Sequence, residues 1–388
     1  MSHRSAIVVT AAAYAVFGLL YGVWAVLLTD LAHELGLSEG PLGLALTAGF
    51  VGSLPVMVAG GHLADRFGSR TVAIVAGGLL AVSFASVAIA GSFVALVVIL
   101  FVFFAASGAY DVGINAAAME LERASGRRVL AAFHAAFSGG GMVGALAAGL
   151  LLATGAIPFR LAYLGVGIAL LLVVLAWIRV AAPSVPRASE ASGLPAPTAS
   201  PYRDRLLLLL ASMTALAFFA EGAMETWTGI YLRGSLDLPP LTGAVGVAVF
   251  HAAMLVGRTV AAVLGGRVGS IVALRGAGLL AAAAMAVALA TEVPLLVIGG
   301  FLLVGLGLSA IAPLTFSLAG RARPEDAGRA SSVITTLGYA GFLFGPGLIG
   351  SVAETATLRI GLLAVVLAGL VVAFLAGRVD RAIGSRPR

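Results

Sequence analysis

The chain has 388 residues, of which 61% are hydrophobic and 10% charged, with a formal net charge of +6 and a mean hydropathy of +1.10. A soluble domain is near a quarter charged and about half apolar, so this composition excludes a soluble enzyme, a nucleic-acid-binding domain and a disordered chain, and leaves a polytopic membrane protein. Cys and Lys are both absent, which removes disulfides, thiolate nucleophiles and the lysine that a P-loop or a Schiff base needs.

A membrane span takes about 20 apolar residues. In chain order the sequence predicts twelve: 6–31, 41–61, 71–90, 93–119, 128–153, 158–179, 205–232, 242–263, 271–290, 294–319, 327–354 and 357–377. The first run is too long for a signal-peptide core. The long break at 181–204 is rich in Pro, Ser and Ala and reads as a flexible linker. It divides the chain into bundles at 1–180 and 205–388. The basic residues are all Arg, and nineteen of the 23 fall on the side of the termini and linker, three on the other side and Arg258 inside a span. The positive-inside rule therefore puts both termini in the cytoplasm of a plasma membrane.

The halves repeat. Leu63-Ala-Asp-Arg-Phe-Gly-Ser69 aligns with Leu264-Gly-Gly-Arg-Val-Gly-Ser270 at an offset of 201, which also brings Gly140 onto Gly341 and Gly144 onto Gly345. Parallel repeats mark transporters, with the solute site between them near mid-membrane. The expected fold is an all-α integral membrane protein of two six-helix bundles related by a pseudo-two-fold axis.

Gly61-His-Leu-Ala-Asp-Arg-Phe-Gly-Ser-Arg70 resembles the loop signature of the major facilitator superfamily. Asp111-Val-Gly-Ile-Asn115, the stretch from Arg128 to Gly149 and Glu221-Gly-Ala-Met-Glu-Thr-Trp227 resemble a YbjJ-like bacterial branch near the fucose-permease-like carriers. The resemblance implies secondary active transport by alternating access, with spans 1, 4, 7 and 10 lining the cavity. It also implies a conformational latch at Asp65, with Arg66, Arg70, Gly61 and Gly68 around it, facing the start of span 11 at Pro324-Glu-Asp326. Two departures stand out: Gly266 replaces the acid in the second copy, and Gly144 is followed by Ala145 rather than Pro, which weakens the resemblance to multidrug antiporters.

Intramembrane charge supplies the coupling candidates. Asp111 lies seven to ten residues from the inner end of span 4, ~10–15 Å deep, with Asn115 one turn away on its face. An ionised Asp there costs ~2.5–3.5 kcal/mol, so it needs a cavity, a partner or a proton. Glu221 and Glu225 share a face of span 7. Trp227 and Tyr231 beside Glu225 also fit an interfacial belt. His134 on span 5 sits at a depth like that of Asp111, as a proton partner or as a packing residue. Arg258 either snorkels to the cytoplasm or pairs with Asp111 as an inner-gate charge. Tyr14, Phe17, Tyr21 and Trp24 form one helical stripe, read as packing or as cavity lining. The expected cavity residues are Tyr21, Trp24, Tyr110, Asn115, Phe137, His251 and Phe316. The Gly139–Gly144 run reads as a close-packing surface.

The sequence thus predicts a non-enzymatic, proton-coupled carrier of a small organic solute, monomeric in the lipid bilayer, with no cofactor, metal, ATP or nucleic-acid partner. Efflux antiport and a solute sensor on the same scaffold are the alternatives.

Overall fold

The structure, a computed structural model, describes residues 3–126, 129–179, 204–264, 269–323 and 327–384. In order the helices are α1 His3–Glu34, α2 Glu39–Phe67, α3 Ser69–Ser86, α4 Phe93–Ser125, α5 Leu130–Thr154, α6 Arg160–Arg179, α7 Arg205–Ile230, α8 Pro240–Leu264, α9 Ser270–Leu289, α10 Pro294–Ala322, α11 Ala327–Thr355 and α12 Leu358–Gly384. A 3-10 turn, Val87–Ile89, precedes α4, and a π-helical turn, Tyr231–Ser235, ends α7. Among the described residues, eleven helices are long and apolar enough to cross a membrane, by length and composition. Helices suit that solvent because they satisfy their own backbone hydrogen bonds. Free ends are capped where the chain turns: Ser92 accepts from the Ala95 amide at 3.2 Å, and Asp204 from the Leu206 amide at 2.9 Å.

Two six-helix bundles result. In the first, α1 packs on α5 and α4 on α2 and α3; in the second, α7 packs on α11 and α9 on α10 and α12. The bundles meet through α2 against α11 and α5 against α8. Small residues make the tight seams. A Cβ at Gly140 would overlap the Ala15 carbonyl, and one at Gly341 would overlap the Ala215 carbonyl, so the repeat preserves one backbone-to-backbone contact in both halves.

The repeat extends to turns and polar pairs. Gly68 and Gly269 open α3 and α9 with φ of 89° and 77°, a left-handed backbone that Gly adopts without steric cost. Tyr14 donates to Asn115 at 2.9 Å between α1 and α4, and Thr214 meets Thr315 at 2.7 Å between α7 and α10. Ser69 donates to Glu120 at 2.9 Å, while Arg321 donates to Ser270 at 2.8 Å. The position is shared and the charge is inverted.

Most helix boundaries fall within a few residues of those expected. Three helices run on past the expected ends, α2 to Phe67, α12 to Gly384 and α4, which continues through Glu120 and Glu122 to Ser125 and ends at Gly126, with φ of 66°. The charged last turns of all three lie beyond the apolar run, so hydropathy alone ends each helix too early. The expected linker falls on residues outside those described, apart from Asp204.

Candidate functional site

Asp111 lies near the middle of α4, fourteen residues from its end at Ser125, ~21 Å along the helix at 1.5 Å per residue. Asn115 donates from Nδ2 to Asp111 Oδ1 at 2.9 Å. Its Oδ1 accepts from the Tyr14 hydroxyl at 2.9 Å. The other carboxylate oxygen, Oδ2, accepts from the Tyr339 hydroxyl at 2.9 Å. The chain Tyr14–Asn115–Asp111–Tyr339 runs from α1 through α4 to α11 and so crosses between bundles. Both oxygens of the acid are held by neutral donors, which offsets part of the cost of placing it at this depth.

A second constellation belongs to the second bundle. Arg258 Nη2 on α8 donates to Glu221 Oε1 on α7 at 2.9 Å, with side chains 32% and 13% exposed. This corrects the sequence reading twice. Arg258 pairs with Glu221 rather than Asp111, and its guanidinium turns inward instead of snorkelling. Glu225, one turn along α7, is part-buried and lies in the electrostatic field of Glu221 and Arg258. Its carboxylate has no hydrogen-bond partner among the described residues.

His134 is exposed on α5, edge-on to Tyr14 with ring centroids 5.5 Å apart. It reaches the Asp111 network through Tyr14 rather than by a bond to the acid. Tyr21 meets Ser107 at 2.8 Å, and Phe137 is edge-on to Phe17 at 5.5 Å. His251 is 2% exposed on α8, and its ring lies where a Cβ on Gly141 of α5 would sit. Phe316 is part-buried on α10 and packs against the core. Two expected wall residues are core instead. Trp24, 4% exposed, stacks on Phe103 at 5.8 Å, and the fully buried Tyr110 packs on Phe17. Helical spacing showed that the α1 aromatics share a face, and that face is turned into its own bundle. Among the described residues, no group of three His, Asp or Glu could hold a metal ion.

Sequence reasoning missed Tyr339, together with Phe218 and Phe342, whose rings pack around it at 5.5 and 5.9 Å. A lone Tyr in an apolar helix was the available signal. Its partner, 228 residues away, was not readable.

The bundles are also tied at the face opposite the chain's ends. Arg233, carried by the π-helical turn, donates from both terminal nitrogens to Asp30 on α1, through Nη2 at 2.9 Å. Glu354 at the end of α11 accepts from the Gly40 amide in the first turn of α2 at 2.9 Å. Gly347 and Gly350 of α11 leave no room for a Cβ beside Thr47 and the Glu39 carbonyl of α2. At the other face, the expected latch segment closes the turn from α2 into α3. Arg70 donates to the Trp177 and Ile178 carbonyls at 2.6 and 2.8 Å, capping α6, and Arg66 lies over the Phe67 ring at 5.3 Å. The side chain of Asp65, the Gly61 surroundings and Pro324–Asp326 lie outside the described residues.

Two six-helix membrane bundles meeting around part-buried carboxylates and a guanidinium define a polytopic transport protein. The sequence profile described as Major Facilitator Superfamily matches residues 9–346. An uncharacterized MFS-type transporter of Yersinia pestis is 31% identical over 375 residues, covering 96% of this chain and 95% of the relative. Among solved structures, a bacterial homolog of the human lysosomal transporter Spinster, inward-facing and unoccupied, aligns with a TM-score of 0.81 at 16% identity, covering 100% of this chain and 99% of that one. The inward-open xylose transporter XylE from E. coli aligns with a TM-score of 0.77 at 13% identity, over 97% and 96% of the two chains. The chain belongs to the Major Facilitator Superfamily, and it is a multi-pass membrane transporter of solutes.

Proposed function

We propose that the protein is a proton-coupled carrier that moves a small organic solute across a bacterial plasma membrane by alternating access. The observation that carries this reading is the Asp111–Tyr339 bond. A titratable acid at mid-depth is held by a residue of the other bundle, so its protonation state and the relative position of the bundles are linked. Protonating Asp111 removes the charge that Tyr339 stabilises and loosens the contact between α4 and α11. Glu221 and Glu225 are further proton acceptors in the same space, and His134 stands beside Tyr14.

The arginine distribution orients the face of the chain's ends toward the cytoplasm. The Asp30–Arg233 and Gly40–Glu354 ties then close the outer side of the described state. The loop around Asp65 is assigned to the opposite closure, against the start of α11. The Arg70 contacts with α6 support it by fixing the geometry of that loop.

The test begins with thermal stabilisation of the purified protein by sugars, nucleosides, organic acids, amino acids and lipophilic cations, at mildly acidic and neutral pH. Hits are then followed by counterflow in liposomes. The expected result is a stabilising solute whose transport responds to an imposed pH gradient, with the response lost in Asp111→Asn and Glu221→Gln. If both variants keep the full response, the proton assignment fails. Binding without counterflow would make the protein a sensor, and hits confined to lipophilic cations would make it an efflux carrier.

A further inference from the structure

We infer that the first bundle binds one anionic phospholipid of the leaflet at the face of the chain's ends, with an acyl chain in a cleft between α2 and α3 and the headgroup on Arg66. α2 and α3 each pack along α4 but meet one another only sparsely. Between them lies an apolar cleft of about 480 Å³. Small buried side chains make its floor, Ala76 of α3 with Ala106 and Ala109 of α4. Val56 and Leu63 of α2 wall one side, and Val75 and Leu79 of α3 the other. Of the described side chains that line it, only Thr71 carries a polar atom.

Depth, chemistry and charge select the occupant. On α3 the lining runs from Thr71 to Leu79, ~12 Å at 1.5 Å per residue. It begins two residues beyond the start of α3 at Ser69. The cleft therefore stays within one leaflet, whose share of the hydrocarbon core is ~15 Å. A water-soluble solute would lose its hydration there and gain almost no hydrogen bonds, whereas a hydrocarbon chain loses nothing.

The charge sits at the rim. Arg66 is exposed, with its guanidinium 5.3 Å from the centroid of the Phe67 ring, and Phe67 itself lines the cleft. Arg66 has no hydrogen-bond partner among the described residues. Arg70 and Arg179 stand at the same corner, where Arg70 caps the end of α6. The acids of this corner are Glu120, which accepts from Ser69, and by sequence Asp65. Three guanidiniums thus stand against two carboxylates. Lipid tails are as apolar as leucine, so the cleft fixes where a chain lies without choosing the lipid. The headgroup makes the choice. A phosphate suits the guanidinium fork, and the excess positive charge favours a headgroup with no cation of its own. One arginine at the membrane surface is worth roughly five-fold in affinity for anionic lipid.

The test uses the purified full chain in detergent, with dioleoyl phosphatidylglycerol and dioleoyl phosphatidylcholine as probes and native mass spectrometry to count retained lipids. The expected result is one phosphatidylglycerol retained at roughly five-fold lower lipid concentration than phosphatidylcholine. Val75→Trp fills the cleft from its exposed rim and should abolish that retention. Thr71→Phe fills it from the end nearer Arg66 and should act alike, so a folding fault in one variant does not decide the outcome. Val82→Trp lies on exposed α3 outside the cleft and should change nothing. Arg66→Gln should remove the preference for phosphatidylglycerol and leave phosphatidylcholine as in the parent. Arg378 supplies the matched control. It lies 4.9 Å from the centroid of the Phe374 ring, neither residue lines the cleft, and Arg378→Gln should keep the preference. Glycerol 3-phosphate, which has the phosphate without the chains, should not displace the lipid. The inference is overturned if the two cleft-filling variants behave like Val82→Trp, if the preference survives Arg66→Gln, or if the parent retains both lipids equally. Displacement by glycerol 3-phosphate would also overturn it, by showing a site for soluble anions in which the cleft takes no part.

Discussion

The Tyr339 hydroxyl donates to Asp111 Oδ2 at 2.9 Å, joining α11 of one bundle to the middle of α4 in the other. The same carboxylate is fixed on its other oxygen by Asn115, which Tyr14 holds in turn. The contact between bundles is thus backed on the first-bundle side by a chain of three residues on two helices. A shift of α11 relative to α4 must break a hydrogen bond to a charged acceptor.

Tyr339→Phe removes that bond and keeps the ring against Phe218 and Phe342. A hydrogen bond to a charged group contributes ~1.5–3 kcal/mol, and 1.4 kcal/mol is a factor of ten in a population. The variant should lower the population of the described state by roughly 10- to 100-fold relative to the alternate one. The native chain contains no Cys, so pairs of spin labels on introduced cysteines across α2–α11 report the distance distribution without background. Unchanged distributions in Tyr339→Phe would show that the bond does not bias the states.

How much of this was legible follows from the range of each interaction. The helices were readable because crossing lipid needs a local run of apolar residues, and α6 ends at Arg179 as the run itself does. The end of α4 was not, because Glu120 and Glu122 look like an exit while their side chains bond Ser69 and the amides of Val129 and Leu130. Asp111, Glu221 and Glu225 were readable as charges without local compensation. Their partners were not, since Tyr339 and Arg258 lie 228 and 37 residues away and periodicity carries no information on which helix face meets which. Trp24 and Tyr110 show the same limit from the other side: a helical stripe fixes a shared face, and only packing decides whether that face meets the cavity or the core.

The glycine seam predicts opposite outcomes for neighbours in sequence. At Gly140 a Cβ would overlap the backbone of Ala15, whereas at Gly139 it would meet nothing within 4 Å. Overpacking costs ~1–3 kcal/mol when side chains can yield, and a backbone carbonyl yields less. Gly140→Ala should lower the melting midpoint in detergent by several degrees or abolish folded protein, with Gly341→Ala behaving alike through Ala215. Gly139→Ala should be neutral or stabilising, since Gly in a helix is ~0.5–1 kcal/mol worse than Ala. Equal effects at 139 and 140 would contradict the close approach of α1 and α5.

Two arginines of one loop should separate in the same way. Arg70 caps the last carbonyls of α6, where a cation is worth ~0.3–1 kcal/mol and up to ~2 when partly buried. Arg70→Ala should destabilise the first bundle by about that amount. Arg66 is exposed over Phe67, and Arg66→Ala should stay within ~0.5 kcal/mol. Chemical denaturation followed by the tryptophan signal distinguishes the two. A destabilising Arg66→Ala with a silent Arg70→Ala would reverse the assignment.

The tie between Asp30 and Arg233 gives the sharpest test of which face is closed. Both terminal nitrogens of Arg233 reach the one carboxylate, with side chains 14% and 20% exposed. Such a fork–fork pair is among the stronger hydrogen-bonded contacts, and partial burial shields it from salt. Asp30→Asn removes the charge and keeps the shape, so it should open this face and move the label distance across it toward the outward-open value. Arg233→Gln should do the same. Exchanging the two, with Arg at 30 and Asp at 233, should restore closure at least in part, because attraction depends on the pair and not on which helix carries which sign. Gly243 of α8 packs on the Arg233 stem, so the exchange also loses some packing and a partial rescue is the expected result. Opening in Arg233→Gln with none in Asp30→Asn would mean that the stem rather than the charge closes the face. No opening in either single variant would mean that the seam of α2 and α11, with Glu354 on the first turn of α2, holds it without the ion pair.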